Sequence, residues 1–157
     1  SIMNVGTVLT LHTTKKMSEV MNEALILRCI AGKGIGGDRY MLGTGTYSKK
    51  PEPGRQLTII ESEKLEALTK VGLYCTSSQS RRNIVSRGIS LNDLVGKKII
   101  VGEVKLMVHR LCQPCTYLEK KLKQPSLKDA LWDKGGVKCE ILTDGNIKPN
   151  DKILLLS

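Results

Sequence analysis

The stretch Val108-His109-Arg110-Leu111-Cys112-Gln113-Pro114-Cys115-Thr116-Tyr117-Leu118 concentrates the residue types of this chain that can do chemistry. Its pattern predicts a strand that turns into a helix, with Pro114 at the first helical position, where a missing N–H costs nothing. Cys115 then falls in the first helical turn. The unpaired backbone N–H groups and positive dipole end there favour an anion, and can pull a thiol from a free pKa of about 8.5 into roughly the 3.5–7.5 range. On that reading Cys115 is a thiolate, fit to act as a nucleophile or as a soft metal ligand. Cys115, Leu118 and Leu122 share one helical face by spacing, which aims the sulfur toward the body of the fold. The competing reading is a small core residue, since free cysteine is among the most buried types.

Two further stretches could build a pocket around that sulfur. Gly32-Lys33-Gly34-Ile35-Gly36-Gly37-Asp38-Arg39-Tyr40 carries four glycines, which permit left-handed backbone angles and close approach of main-chain N–H groups to a ligand. It is neither a Walker A loop nor a dinucleotide fingerprint, and no helix pattern follows. A flexible loop is the alternative, with Asp38 and Arg39 pairing to fix the turn. Arg81-Arg82-Asn83-Ile84-Val85 opens a strand with two planar guanidinium groups suited to phosphate. Adjacent strand residues point to opposite faces, so only one arginine is expected in a given pocket. The alternative is a solvated charge pair. His12, at a strand end, and His109, facing away from Val108, are expected to be structural.

The elements that must position these residues follow from periodicity. Val5 to Leu11 alternates as an opening strand, and Glu23 to Ile30 as a second, with Leu25, Leu27 and Cys29 on one side. Leu42 to Gly54 has the composition of a loop, or of a lid over a site. Gln56 to Ile60 is a strand, and Glu61 to Val71 a helix stopped by Gly72. Tyr74 to Ser80 is irregular, and Leu91 to Leu94 a short turn packed on the core. Gly96 to Val101 and Val104 to His109 form a hairpin around Gly102-Glu103. Beyond the helix through Lys123, Ser126-Leu127-Lys128-Asp129 offers a capping box for a short helix. Gly135-Gly136 ends it, Val137 to Thr143 is a strand, Asp144-Gly145 a tight turn, and Asp151 to Leu156 the last strand. Short strands with tight turns indicate a mainly β, closed or nearly closed barrel with a few peripheral helices.

Composition narrows the function classes. The 157 residues suit one domain, 1–157, able to bury a core without disulfides. A balance of 25 Lys plus Arg against 15 Asp plus Glu gives a net charge of +10, which attracts phosphate-bearing ligands, nucleic acid or acidic proteins. With no Phe, one Trp and four Tyr, the chain is poorly supplied for base stacking. A small anionic ligand is therefore favoured, and a basic nucleic-acid-binding β-barrel without catalysis is the alternative. Cys29, Cys75, Cys112, Cys115 and Cys139 form an odd, scattered set that points to a reduced, cytoplasmic setting. A closed zinc site needs ligands that the chain does not supply in a second Cys-x-x-Cys, while a reversible Cys112–Cys115 disulfide stays open. No apolar run is long enough for a membrane span, so a soluble protein with no membrane partner is expected.

The order of these pieces resembles the MOSC family, named for the C-terminal domain of molybdenum cofactor sulfurases. The resemblance rests on Lys33-Gly34-Ile35-Gly36-Gly37-Asp38-Arg39, Arg81-Arg82-Asn83-Ile84-Val85, Leu94-Val95-Gly96, Gln113-Pro114-Cys115, Gly135-Gly136, and Gly145 with Lys148, Asp151 and Ile153. It covers nearly the whole chain and is similar to small stand-alone members. It implies a MOSC-type β-barrel and binding of the molybdenum cofactor (molybdopterin). Cys115 would be the metal ligand or persulfide sulfur carrier, with Arg81 and Arg82 near the pterin's phosphate. Lys33, Gly34, Gly37, Asp38, Arg39 and Asn83 would complete the cofactor site. Tyr40 stands where the family commonly has histidine. The implied reaction is sulfur transfer, with a pyridoxal-phosphate-dependent cysteine desulfurase as partner, or reduction of N-hydroxylated compounds, with an electron-donor protein.

Overall fold

A computed structural model describes residues 5–16, 19–42 and 53–157. In chain order these form β1 (Val5–Thr13), β2 (Asn22–Ala24), β3 (Leu27–Ile30), β4 (Gly34–Ile35), α1 (Arg39–Leu42), β5 (Leu57–Glu61), α2 (Ser62–Leu68) and β6 (Ile84–Arg87). There follow β7 (Lys98–Val101), β8 (Val104–Leu111), α3 (Thr116–Leu122), α4 (Leu127–Ala130), β9 (Val137–Ile141), β10 (Gly145–Ile147) and β11 (Lys152–Leu155). The strand order β11-β7-β8-β9-β5-β6-β1 closes through pairing of β1 with β11, so seven strands form a barrel, and β2 extends β1 at its edge. A small sheet β10-β3-β4 lies apart from it. All pairings except the parallel β5–β6 ladder are antiparallel.

Alternation explains where the apolar residues go. Val104, Leu106 and Val108 of β8 and Val137, Cys139 and Ile141 of β9 turn inward and join Val8, Leu11, Leu57, Ile59, Ile84 and Ile153 in the barrel core. A second cluster lies outside the barrel, where Ile60 and Val85 meet Leu65 and Leu68 of α2, Leu118 of α3 and Leu127 of α4. Strand β5 is buried along its whole length because helices cover its outer face.

Several sequence expectations change. The strand expected over Glu23 to Ile30 is split into β2 and β3, which join different sheets, and Leu25 between them is exposed. A bulge between Val8 and Thr10 breaks the alternation of β1, so Val8 and Leu11 both face the core and Leu9 does not. His12 is fully buried rather than a polar edge residue, with Nε2 bonded to Thr10 Oγ1 at 2.9 Å and Nδ1 to Ser78 Oγ at 3.3 Å. The glycine-rich stretch is followed by α1, although its sequence shows no helical period. Ser126 makes no side-chain cap. Glu119 Oε1 of α3 accepts the Lys128 N–H at 2.9 Å instead, so the neighbouring helix supplies the acceptor that the capping box would have.

Asp144-Gly145 is not a tight turn. Gly145 opens β10, and the chain reverses at 148–151, where Asn150 takes φ +73 and Lys148 O accepts the Asp151 N–H at 3.1 Å. Most of the loop read over Leu42 to Gly54 lies outside the described residues; its end, Pro53–Arg55, is a single 3-10 turn. All five cysteines are free thiols. Among the described residues, no helix is long and apolar enough to cross a membrane.

Candidate functional site

Cys115 is the N-cap of α3 rather than a residue of its first turn. Its backbone is extended, with φ −123 and ψ 167, and its carbonyl accepts the Leu118 N–H at 3.2 Å. Pro114 therefore precedes the helix instead of opening it. The preceding residues explain the shift. Gln113, held extended by the proline that follows it, exchanges side-chain bonds with Asp133, and the Cys112 N–H donates to Gly136 O at 2.7 Å. Segment 112–115 thus continues alongside 133–136 and cannot coil until it has passed Cys115. Gly135 and Gly136 make that approach possible. A Cβ on Gly135 would fall on the Cys112 carbonyl oxygen, and one on Gly136, at φ +91, on that of Ile59.

The Cys115 thiol is half-buried and lines a cleft with about 650 Å³ of empty space, solvent-open part included. Arg39, Tyr40, Arg81, Arg82, Cys112, Tyr117 and Lys138 share its walls. Both arginines of the Arg81-Arg82 pair face this cleft, contrary to the expectation that only one would. Strand β6 starts later, at Ile84, and Arg81 adopts a left-handed φ of +61, so strand alternation does not apply to the pair. That conformation costs a non-glycine residue roughly 1–2 kcal/mol.

The two guanidinium groups have different tasks. Arg82 donates from Nε to Gly135 O at 2.9 Å, from Nη1 to Ser80 O at 3.2 Å and from Nη2 to Cys112 O at 3.4 Å. It is a strut that ties the cysteine-bearing segment to its neighbours. Arg81 donates from Nη1 to Glu19 O at 2.9 Å and lies over the Tyr117 ring at 5.9 Å. Arg39 bonds Tyr40 Oη and Arg81 O, both at 3.1 Å, and pairs with Asp38 Oδ1 at 3.5 Å. Asp38 and Arg39 do pair with each other, as one reading of the sequence held. They do so beneath the cleft: Asp38 is fully buried and accepts the Thr14 N–H at 3.2 Å.

Asn83 is buried behind this layer. Its Oδ1 accepts from Thr58 N at 3.0 Å and Thr58 Oγ1 at 3.2 Å, while Nδ2 donates to His12 O at 3.1 Å and Asp38 Oδ1 at 3.3 Å. Of the candidates from the sequence, Cys115, Arg39, Arg81 and Arg82 meet at the cleft. Asp38 and Asn83 support it from below. Lys33, Gly34 and Gly37 do not line it: Lys33 is exposed, next to β4, and Gly34 lies within that strand. Tyr117 and Lys138 line the cleft without having been singled out. Tyr117 had a signal in its place two residues beyond Cys115, whereas Lys138 had only that of a polar position between inward-facing Val137 and Cys139.

Burial pushes the Cys29 thiol up to about 12 and the Cys75 thiol up to about 11, and drives Cys139 further up, so these three stay protonated core residues. Burial also raises Asp38, against the pull of Arg39 and of the Thr14 and Tyr40 N–H groups. Arg81 is lowered by burial and then by the neighbouring Arg39 charge. Among the described residues, no group of three or more His, Cys, Asp or Glu side chains could hold a metal ion by itself. A metal in this cleft would need ligands beyond the protein's own.

Comparison with known proteins agrees with the fold. The MOSC domain family model matches residues 38–154. Among solved structures, the YUAD protein from Bacillus subtilis superposes with a TM-score of 0.76 at 20% identity, covering 96% of this chain and 95% of that one. YiiM from Geobacillus stearothermophilus gives 0.75 at 16% identity, covering 97% of this chain and 75% of its own. YiiM from Escherichia coli gives 0.69 at 15% identity, covering 96% and 70%. At these identities the structures speak for the fold. No curated protein sequence matches the chain.

Proposed function

The chain belongs to the MOSC domain family, and from that premise we propose that it binds the molybdenum cofactor, with Cys115 as soft sulfur ligand or persulfide carrier. The observation that carries this reading is the meeting of a half-buried free thiol with Arg39, Arg81 and Arg82 in one cleft. The donor set suits the group. A thiol suits molybdenum. Arg39 and Arg81 are 4% and 7% exposed and both line the cleft, where guanidinium groups suit a phosphate.

The assignment of the phosphate moves accordingly. Arg39 and Arg81 would hold it, while Arg82 fixes the Cys112 carbonyl and hence the approach to Cys115. Tyr40 and Tyr117, each stacked with an arginine, would wall the ring system. When bound, the cofactor supplies oxygen-atom or electron transfer to reduce an N-hydroxylated compound, with an electron-donor protein as partner. In the other form, Cys115 accepts sulfane sulfur from a pyridoxal-phosphate-dependent cysteine desulfurase and passes it on. Deep burial of the two arginines supports a small anion over a nucleic-acid strand, which needs exposed cations.

The test is expression in a host that makes the cofactor, followed by molybdenum and pterin analysis of the purified protein. Both are expected in the wild type, with molybdenum lost in Cys115→Ala and pterin reduced in Arg81→Ala. A wild type with neither discards the bound-cofactor reading. Persulfide on Cys115 after incubation with a desulfurase and cysteine marks the carrier form.

A further inference from the structure

A groove opens beside the cleft and shares a wall with it. Val20, Met21 and Leu122 give it apolar sides, Arg81 lines both it and the cleft, and Lys121 lines the groove alone. It holds about 740 Å³ of empty space, solvent-open part included, and no carboxylate side chain lines it among the described residues. Glu19, next to Val20, meets Arg81 only through its carbonyl and stays outside the lining.

The site's own arginines hold the groove in place. Arg81 Nη1 donates to Glu19 O at 2.9 Å and Arg39 Nη1 reaches Met21 Sδ at 3.5 Å, so segment 19–21 is tied to the two groups that wall the cleft. Met21 is thereby buried, while Val20 is left 73% exposed at the groove's edge. Helix α3 forms the opposite side. Leu122 packs onto the cluster under the helices, and Tyr117 and Lys121, four residues apart, share one face. Arg81 lies 5.9 Å and Lys121 5.8 Å from the centre of the Tyr117 ring, so this ring, which also lines the cleft, links the two depressions. At a rise of 1.5 Å per residue, Leu122 lies about 10 Å beyond Cys115 along the helix. A molecule with one end at Cys115 could therefore lay its body in the groove.

We infer that the groove is the subsite for the second reactant, and that this reactant is an elongated organic acid: its reacting group reaches Cys115, its apolar body covers Val20, Met21 and Leu122, and its carboxylate meets Lys121. Continuity with the cleft through Arg81 and Tyr117 favours a small molecule that enters both. A lining with an ammonium and no carboxylate favours an acid over an amine. Met21, unbranched and polarizable, adapts to apolar bodies of varied outline. The inference rests on the proposed function for the role of Cys115, but binding of the acid does not require the cofactor.

The experiment titrates phenylbutyrate, and separately phenylbutanol and phenylbutylamine, into the purified protein and follows backbone amide NMR signals. Phenylbutyrate is expected to shift residues 20, 21, 79 and 122, with phenylbutanol about fivefold weaker, the scale of one exposed ion pair, and the amine weaker still. Lys121→Gln, at an exposed position, should bring the acid down to the affinity of the alcohol and leave the alcohol as it was. Val20→Asp, also exposed, should weaken acid and alcohol alike about tenfold, since it takes away apolar contact and adds a charge of the wrong sign. No shift at these residues, equal binding of acid and amine, or wild-type affinity for the acid in either variant overturns the inference. Molybdenum and pterin content reports separately on the cofactor reading, so either can fail alone.

Discussion

Ile59 and Asn83 are both fully buried, and Asn83 directly precedes Ile84, the residue that pairs with Ile59 between β5 and β6. Ile59 is held by packing inside the barrel, where any apolar side chain of similar volume would serve. Asn83 is held by four directional bonds to Thr58, His12 and Asp38, so a replacement would have to present both donors and acceptors at the same points. The barrel interior and the layer beneath the cleft are thus equally dry, but only the second is specified atom by atom. A tolerant core carries a polar layer that fixes where Arg39, Arg81 and Cys115 stand.

The sharpest way to break this comparison is Asn83→Ala. It strips partners from the buried Thr58 N–H and His12 carbonyl, and should cost about 3 kcal/mol or more in urea unfolding. A loss no larger than that of a surface substitution would erase the distinction. Arg82→Lys keeps a charge but cannot span three carbonyls. It should cost about 2 kcal/mol and change the rate at which iodoacetamide modifies Cys115, read by mass spectrometry, whereas an unchanged rate would deny the strut its role. Ile59→Val, on the tolerant side, should cost only about 0.5–1.5 kcal/mol and leave that rate as in the wild type.

The smallest effect is one of slope. Burial holds the His12 pKa below its usual value of 6.5, with Glu23 opposing. As pH falls through that usual value, the unfolded chain takes up a proton that the folded one resists, so stability present above it is lost on acidification. His12→Gln removes this component, and the stabilities of variant and wild type should converge between about pH 8 and pH 5. Parallel curves would place His12 outside the polar layer.

How far the sequence was legible follows the same division. The β7–β8 hairpin, the α2 helix with the 3-10 turn Thr69–Val71 that ends at Gly72, and the barrel class could be read because they depend on periodicity and turn chemistry. The family could be read because its residues occur in order along the chain. The bulges after Val8 and Val108 left no mark, since each inserts one residue into a pattern that looks unbroken until the partner strand is in place. The left-handed Arg81 was equally hidden, because its strain is sustained by contacts with Glu19 and Tyr117, remote in sequence.

By itself, then, the order of residues determined most of the barrel strands and the longer helices, that the chain forms a barrel, and that a thiol and several arginines were available for one anion. The tertiary structure alone decided that Arg81 and Arg82 share a cleft, that Arg82 is a strut, and that Cys115 caps α3. The physical reason is range. Strand and helix formation responds to neighbours a few residues away, whereas the aim of a side chain into a cleft is set by hydrogen bonds and register between segments that meet only after the barrel has closed.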